Sequence, residues 1–316
     1  MDKFVLTITL NAAIDKTYVV NNFTLDRVHR PQEMKSVAGG KGINVARVCK
    51  TLGKPSLASG FVGGHNGRFI ENHLRMEGIP FDFVRVKGES RLCIAIVDLL
   101  NKTQTEVNEW GPPVGEKEAR RLERKVKELL PGATFLVFCG SAPPGTPPDI
   151  FARLTRLARD FSVPAILDTS GELLREGLGA HPFIVKPNLR ELEYLVGRDL
   201  NDEGDVMEAM RAISDKAEIV VVTLGREGAI MLVEGDFIYT PGLEVPFVSA
   251  VGSGDSFLAG FICGLLDKRS LEDCLRLANA CGAANVMVVG AGMARREDIE
   301  ELFKRATCQP LRASRV

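Results

Sequence analysis

Short apolar runs alternate with amphipathic segments along most of the chain. The runs at positions 4–10, 134–139, 163–168, 183–188 and 218–224 are rich in β-branched and aromatic residues, which predicts buried strands. Between them apolar residues recur three and four apart, as over Glu116 to Leu130 and Asp149 to Phe161, which predicts helices. Near-continuous apolar strands alternating with helices indicate an α/β fold with a mostly parallel sheet covered on both faces.

Two regions depart from this alternation. Lys16 to Ala38 and Arg85 to Glu109 carry period-two strand patterns with no helix between them. We expect them to form a small second sheet that projects from the main domain as a lid, from about 16–38 and 85–109. Because no low-complexity linker or internal repeat divides the chain, residues 1–316 are expected to form a single domain with that lid.

Composition and charge exclude several classes of protein. The 316 residues are 45% hydrophobic and 26% charged, as in an ordinary globular protein, and 40 basic residues against 41 acidic give a net charge of −1. That balance argues against a broad nucleic-acid or membrane surface. The apolar run before Asp15 is too short for a secretory signal. Leu277 to Ala294 has no charged residue, but its asparagines and glycines indicate a buried helix and loop rather than a membrane span.

The cysteines and histidines do not have the spacing of a metal site. The seven cysteines form no C-x-x-C pair, and the four histidines form no ligand pair at helical spacing. Most cysteines lie in apolar runs, where a thiol acts as a small hydrophobic group. We therefore expect a reduced, cytoplasmic protein without structural zinc.

The first glycine-rich segment, AGGKGIN from Ala38 to Asn44, precedes a predicted helix. Its glycines allow a ligand to approach the backbone, and Lys41 adds a positive charge beside free helix N–H groups. Its spacing matches neither the G-x-x-x-x-G-K-[ST] phosphate loop nor the G-x-G-x-x-G dinucleotide motif. A tight turn that carries a lysine explains this segment equally well.

Two further glycine-rich segments have the same ambiguity. Val251 to Ser256 opens an apolar helix that starts at Phe257, where free N–H groups suit a phosphoryl group and Asp255 suits proton abstraction from an alcohol. An aspartate at a helix start is also favoured simply as a cap. Thr223 to Ala229 follows a strand and fits either a phosphate-holding turn or a hairpin.

Taken in order, the segments AGGKGINVA, GSAPPG, LDTSG, KPNLRELE, TLGREGA and VGSGDSFLAG resemble the ribokinase-like PfkB family of carbohydrate kinases over essentially the whole chain. The resemblance is strongest to the branch that phosphorylates ketohexose phosphates. It implies a ribokinase-like three-layer α/β/α fold with a β lid, and ATP-dependent phosphorylation assisted by Mg²⁺. Fructose 1-phosphate is the first substrate it suggests, with tagatose 6-phosphate and fructose 6-phosphate as alternatives.

The resemblance also implies roles for individual residues. Asp255 matches the catalytic base, and Gly252, Ser253 and Gly254 match the anion hole. The residues matching the substrate site are Asp15, Gly39, Gly40, Asn44, Ser141 and Asp168, together with Lys41 and Arg91, which match residues that hold the phosphate already on the sugar.

The ATP site and the ion sites follow in the same way. The residues matching ATP contacts are Lys186, Asn188, Thr223, Gly225, Gly228, Asn279 and Ala283. Glu191 matches a residue that places Mg²⁺ through water, and Ser249 and Val251 match backbone positions that bind K⁺ in some members. The family also implies a homodimer formed through the lids. The chain departs from the family pattern at Ala12, Ser253 and Trp110, which weakens the choice among substrates.

Two other functions fit the sequence less well. A kinase for an unphosphorylated sugar or nucleoside leaves Lys41 and Arg91 without an anionic partner. A sugar-phosphate sensor without turnover does not require Asp255 and the small residues before it.

Overall fold

The computed structural model describes residues 3–311, and its main element is a ten-stranded sheet of order β14-β13-β12-β11-β10-β9-β8-β1-β4-β5. Its strands are β1 (Phe4–Thr9), β4 (Ser56–Gly63), β5 (Phe81–Val86), β8 (Ala133–Cys139), β9 (Ala165–Asp168), β10 (Ile184–Val185), β11 (Ile219–Thr223), β12 (Gly228–Val233), β13 (Asp236–Pro241) and β14 (Gln309–Leu311). All pairs from β5 to β11 are parallel, and the pairs from β11 to β14 are antiparallel. The mostly parallel sheet is confirmed.

Helices cover both faces of this sheet. They are α1 (Lys41–Thr51), α2 (Gly64–Glu77), α3 (Glu116–Leu129), α4 (Ile150–Asp160), α5 (Gly171–Leu178), α6 (Leu189–Val196), α7 (Glu203–Ile213), α8 (Ser253–Leu266), α9 (Leu271–Val286) and α10 (Arg296–Arg305). In β8, Leu136 and Phe138 belong to the core beneath α3–α7, while Val137 belongs to the core beneath α1 and α8–α10. Successive side chains of one strand therefore pack into the cores on opposite faces of the sheet, which is why the strands have continuous apolar runs.

The lid is a separate four-stranded sheet of order β3-β2-β6-β7, formed by β2 (Ala13–Val19), β3 (Glu33–Gly39), β6 (Arg91–Asp98) and β7 (Thr103–Asn108). Its existence is confirmed, but its predicted boundaries were too wide at one point. Arg85 lies in β5, which pairs with β4 at the edge of the main sheet. The period-two pattern of β5 is that of a half-exposed edge strand, and the sequence cannot distinguish such a strand from a lid strand.

Two other predicted boundaries differ for local reasons. The strand expected over 183–188 is reduced to Ile184–Val185 and a single bridge between Asn188 and Thr223, since Pro187 has no N–H for a ladder. Helix α8 begins at Ser253 rather than Phe257, because its first turn is polar and gives no apolar signal. No helix within residues 3–311 has the length and apolarity to cross a membrane.

Candidate active site

The first turn of α8 carries Asp255, the candidate base. Gly252 precedes the helix with a φ of 79°, and a Cβ there would lie 2.6 Å from the Cα of Ala291, so both its conformation and its surroundings require glycine. The Ser253 amide donates to the Ala250 carbonyl oxygen, at 3.2 Å. The first turn of a helix offers N–H groups without intrahelical acceptors, which suits an anion.

Asp255 is held in a buried position with 5% of its surface exposed. Asn44, in the first turn of α1, donates from Nδ2 to Asp255 Oδ2 at 2.8 Å. Burial raises the pKa of Asp255 to about 6, opposed by the positive charge of Lys41 and by the Asn44 hydrogen bond. The carboxylate is therefore ionised at neutral pH, but its pKa is close enough to 7 for it to accept a proton during a reaction.

Asp168 ends β9 and forms the centre of a buried ion cluster. Its Oδ1 lies 3.3 Å from Nζ of Lys41 and 3.3 Å from Nζ of Lys186. Asp168 is fully buried, yet its Oδ2 has no hydrogen-bond partner among the described residues. The negative charge of Asp168 raises the pKa of Lys41 well above its usual value, so that lysine stays charged. A buried carboxylate oxygen without a hydrogen-bond partner is suited to bind a cation or a hydrogen-bond donor of a ligand.

Lys41 and Arg91, which the resemblance assigns together to the substrate phosphate, have different neighbours. Lys41 contacts Asp168, whereas Arg91 begins β6 at the base of the lid. The Arg91 guanidinium donates from Nε to the Asn11 carbonyl oxygen at 3.1 Å and from Nη1 to the Glu109 carbonyl oxygen at 3.3 Å. Lys41 therefore lies in the ion cluster around Asp168, two residues after lid strand β3, and Arg91 lies at the first residue of lid strand β6.

The cleft beneath the lid is lined by Asp15 and other polar groups. A Cβ on Gly39 would lie 2.1 Å from Cγ of Asp15, so this carboxylate lies directly against glycine backbone. Burial raises the pKa of Asp15 to about 6, while the positive charges of Arg47 and Arg91 lower it. The remaining lining includes Cys93, Glu106 and Asn108 from the lid, and Ser249, Val251, Gly290 and Ala291 from the main domain.

Two other residues assigned to the sugar, Gly40 and Ser141, lie near the carboxyl ends of β1 and β8. Gly40, with a φ of 109°, precedes α1, and a Cβ there would lie 2.6 Å from Cγ2 of Thr9. Ser141 follows β8, and its Oγ accepts a hydrogen bond from Nδ2 of Asn11 at 3.4 Å.

The residues assigned to ATP begin at the turn into α6. Asn188 Oδ1 accepts from the Glu191 amide at 3.0 Å, and Glu191 Oε2 accepts from the Asn188 amide at 2.8 Å, forming a capping box. Burial raises the pKa of Glu191, and Lys41 opposes that shift, so the Glu191 carboxylate lies within the field of the ion cluster. Thr223 forms the β-bridge with Asn188 and ends β11 next to this turn.

The remaining ATP candidates lie further along the sheet edge. Gly225 begins a short 3₁₀ turn and Gly228 begins β12, which pairs antiparallel with β11, so the third glycine-rich segment is a hairpin with a helical turn at its tip. Asn279 in α9 donates from Nδ2 to Thr240 Oγ1 at 2.9 Å and to the Pro241 carbonyl oxygen at 2.7 Å. Asn279 therefore joins α9 to β13, and Ala283 lies one turn later on the same helix.

Two buried residues that organise the site were missed in the sequence. Arg47 in α1 bonds to Asn44, and Asn285 in α9 accepts at Oδ1 from the Gly292 amide at 2.8 Å and donates from Nδ2 to the Val251 carbonyl oxygen at 2.7 Å. Asn285 is fully buried and so fixes the loop before α8. Its signal in the sequence is a polar residue in the uncharged part of α9 that follows Arg276.

A buried carboxylate in the first turn of a helix, together with two lysines paired with one buried aspartate, is suited to phosphoryl transfer to an alcohol group. The comparison with known families agrees with this class. The model described as "pfkB family carbohydrate kinase" matches residues 8–298, and the chain belongs to that family.

Named relatives support the same activity. The chain is 36% identical over 307 residues to a tagatose-6-phosphate kinase of Staphylococcus epidermidis, covering 95% of this chain and 98% of the relative. It superimposes on phosphofructokinase-2 from Escherichia coli in complex with potassium with a TM-score of 0.89 and 30% identity, covering 96% and 99% of the two chains. A possible 1-phosphofructokinase from Thermotoga maritima gives a TM-score of 0.90 at 29% identity, covering 98% and 100%. This chain is therefore a carbohydrate kinase of the PfkB family.

Proposed function

We propose that this chain transfers the γ-phosphoryl group of ATP to a primary hydroxyl of a ketohexose phosphate. The observation that carries the proposal is the buried Asp255 carboxylate, which is held by Asn44 and faces the Lys41–Asp168–Lys186 cluster. Fructose 1-phosphate, giving fructose 1,6-bisphosphate, is the first candidate substrate. Tagatose 6-phosphate is the second, because relatives that are 36% identical bear that name.

The reaction requires a proton acceptor and compensation for negative charge. Asp255 takes the proton of the attacking hydroxyl as its oxygen forms a bond to the γ-phosphorus, and the bond from that phosphorus to the bridging oxygen breaks to leave ADP. Lys41, Lys186 and the N–H groups of Gly252 and Gly254 stabilise the charge on the transferring group, and the Ser253 N–H can join them only by leaving the Ala250 carbonyl oxygen. Arg91 holds the phosphate already on the sugar, at the lid side of the cleft.

The residues present fit a magnesium ion, which kinases of this family use with ATP. Asp168 Oδ2 is a buried carboxylate oxygen with no hydrogen-bond partner in residues 3–311, and Glu191 supplies a second carboxylate within the same field. We propose that these two residues hold Mg²⁺, Glu191 through water. When bound, the ion neutralises charge on the ATP phosphates.

Potassium is a further proposed cofactor. One structural relative is described in complex with potassium. In this chain the candidate ligands are the carbonyl oxygens of Ser249 and Val251, and the Asn285 side chain holds the second of these at 2.7 Å. This hydrogen bond fixes the direction of the Val251 carbonyl, which favours a defined cation site in the loop before α8.

The substrate is tested by ATP-dependent turnover with Mg²⁺, in K⁺ and in Na⁺, on fructose 1-phosphate, fructose 6-phosphate, tagatose 6-phosphate, fructose and ribose. We expect kcat/KM for one ketohexose phosphate to exceed that for the neutral sugars at least about a hundredfold, about 2.7 kcal/mol of discrimination. Turnover of neutral sugars alone would exclude a phosphate-binding role for Arg91.

The pH dependence of turnover follows from the protonation state of the proposed base, Asp255. Because Asp255 must be ionised to accept a proton and has a pKa raised to about 6, we expect kcat to be constant above pH 7 and to fall about tenfold per pH unit below pH 6. Steady-state kinetics from pH 4.5 to 8.5 at saturating substrates measure this. An acidic limb near pH 4, the usual range of an exposed aspartate, would contradict the assignment.

We also propose a homodimer through the lids, supported by the outer face of the lid sheet. The strand register puts Tyr18, Met34, Ile94, Ile96 and Val107 on one face, opposite the face that carries Asp15 and Glu106. Met34 is 60% exposed and Val107 58% exposed in the single chain. An apolar sheet face of this kind needs a cover, and a second copy of the same face provides one.

Changing Val107 to lysine tests the dimer. Since Val107 is exposed in the single chain, we expect the variant to fold normally but to sediment as a monomer where the wild type is a dimer, because a desolvated lysine is unfavourable in an apolar interface. Met76→Lys, at a 77% exposed position on α2, is the matched control. A monomeric wild type, or a variant that remains dimeric, would refute the interface.

A further inference from the structure

Arg47 is a buried cation one helical turn after Asn44 on α1. Only 7% of its side-chain surface is exposed. Its Nε donates to both carboxylate oxygens of Glu77, at 3.0 and 3.1 Å. The charge of Glu77 offsets the cost of burying this guanidinium, and His73 lies 3.4 Å from the same carboxylate.

The remaining donors of Arg47 point toward the active site. Nη1 donates to Asn44 Oδ1 at 3.0 Å and to the Ala291 carbonyl oxygen at 3.1 Å, and Nη2 donates to the Ala38 carbonyl oxygen at 2.6 Å. The planar, rigid guanidinium can hold these acceptors together, which a lysine ammonium at one point cannot do.

The contact with Asn44 determines which end of its amide faces the base. Because Oδ1 accepts from Arg47, Nδ2 is directed to Asp255 Oδ2, at 2.8 Å. Rotating the amide by half a turn would set its oxygen against the carboxylate and its NH₂ group against the guanidinium. Arg47 therefore disfavours the wrong orientation of Asn44 and leaves Asp255 Oδ1 free for the acceptor hydroxyl.

The two carbonyl contacts extend this control to the walls of the cleft. Ala38 precedes Gly39, against which the Asp15 carboxylate lies. Ala291 is the residue against which Gly252 packs at the start of α8. A single guanidinium thus joins the backbone beneath the sugar-binding carboxylate to the backbone behind the anion hole.

We propose that Arg47 is a positioning residue for phosphoryl transfer, which acts through Asn44 to orient Asp255. The proposal rests on the proposed function only in that Asp255 is the base. It does not depend on which sugar is the substrate. Arg47 touches neither reactant, so its effect is expected on turnover rather than on the binding of ATP.

A double-mutant cycle in the full-length chain tests the proposal. The variants are Arg47→Met, Asn44→Ala and the double variant, assayed with ATP and whichever sugar of the substrate panel the wild type phosphorylates. We expect each single variant to lower kcat about a hundredfold, with the KM for ATP within twofold of wild type, and the double variant to be no slower than Asn44→Ala alone. Arg75→Met, an exposed arginine of α2, is the control.

Four results decide the outcome. Losses that multiply to about ten-thousandfold in the double variant, or an Arg47→Met kcat within threefold of wild type, overturn the proposal. If Arg47→Met does not fold, Arg47→Lys carries the test, because it keeps a charge for Glu77 but cannot serve all the acceptors; wild-type kcat in that variant likewise overturns it. A wild type without turnover on any panel sugar refutes the proposed function instead, so the two failures are distinguishable.

Discussion

Replacing Asp255 with asparagine is expected to lower kcat about a thousandfold, within the range usual for loss of a general base. Asparagine keeps the size and planarity of the side chain but cannot accept the proton of the attacking hydroxyl. Since Asn44 and the first turn of α8 remain in place, binding of the sugar phosphate should change little. Steady-state kinetics give kcat, and isothermal titration calorimetry gives the Kd of the sugar phosphate.

The control for this variant is Asp236→Asn, at an exposed position that begins β13 far along the sheet edge. It should have wild-type kcat and Kd. Turnover by Asp255→Asn within about tenfold of wild type would refute general-base catalysis by this residue. A loss of sugar binding equal to the loss of kcat would assign Asp255 to substrate binding instead.

Replacing Lys41 with methionine is expected to have the second-largest effect, a fall in kcat of about a hundredfold or more. The Lys41 ammonium lies 3.3 Å from Asp168 Oδ1 and contributes to the field at Asp255, where the transferring group gains negative charge. Methionine keeps the apolar stem of the side chain without its charge. Asp168 remains paired with Lys186, so the variant should fold.

The separate effects of Lys41→Met on kcat and on the KM for the sugar phosphate distinguish two possible roles of Lys41. If it stabilises the transferring group, kcat falls and the KM for the sugar phosphate changes little. If it instead holds the phosphate already on the sugar, as the family resemblance implies, the KM rises at nearly constant kcat. Lys127→Met, at an exposed position on α3, is the control.

Much of the fold was predictable because the side chains of each central strand pack into two cores, one on each face of the sheet. The successive residues Leu136 and Val137 of β8 pack on opposite faces of the sheet, and a continuous apolar run is the direct consequence. The edge strand β5 has one face half exposed, so its pattern is similar to that of a lid strand, and its last two residues, Arg85 and Val86, fell within the predicted lid. The sequence pattern indicates which residues of a strand are buried, but it does not indicate with which other strand that strand pairs.

The site was predictable to the extent that its residues follow strand ends. Ser141, Asp168, Lys186 and Thr223 lie at or just beyond the carboxyl ends of successive parallel strands, so the sheet topology alone collects them at one edge. Their individual partners were not predictable. Lys41 contacts an aspartate 127 positions away, and Arg47 bonds to groups 9, 30 and 244 positions away, which no local pattern encodes.

The most direct test of the central claim is to follow the reaction with ³¹P nuclear magnetic resonance. Purified protein is incubated with ATP, Mg²⁺ and fructose 1-phosphate, with fructose 6-phosphate or tagatose 6-phosphate in parallel samples. We expect one of the three to be converted to its 1,6-bisphosphate with one ADP formed per sugar, and Asp255→Asn to form neither product at a comparable rate. ADP formed without a bisphosphate, or no reaction with any of the three ketohexose phosphates, would contradict the claim.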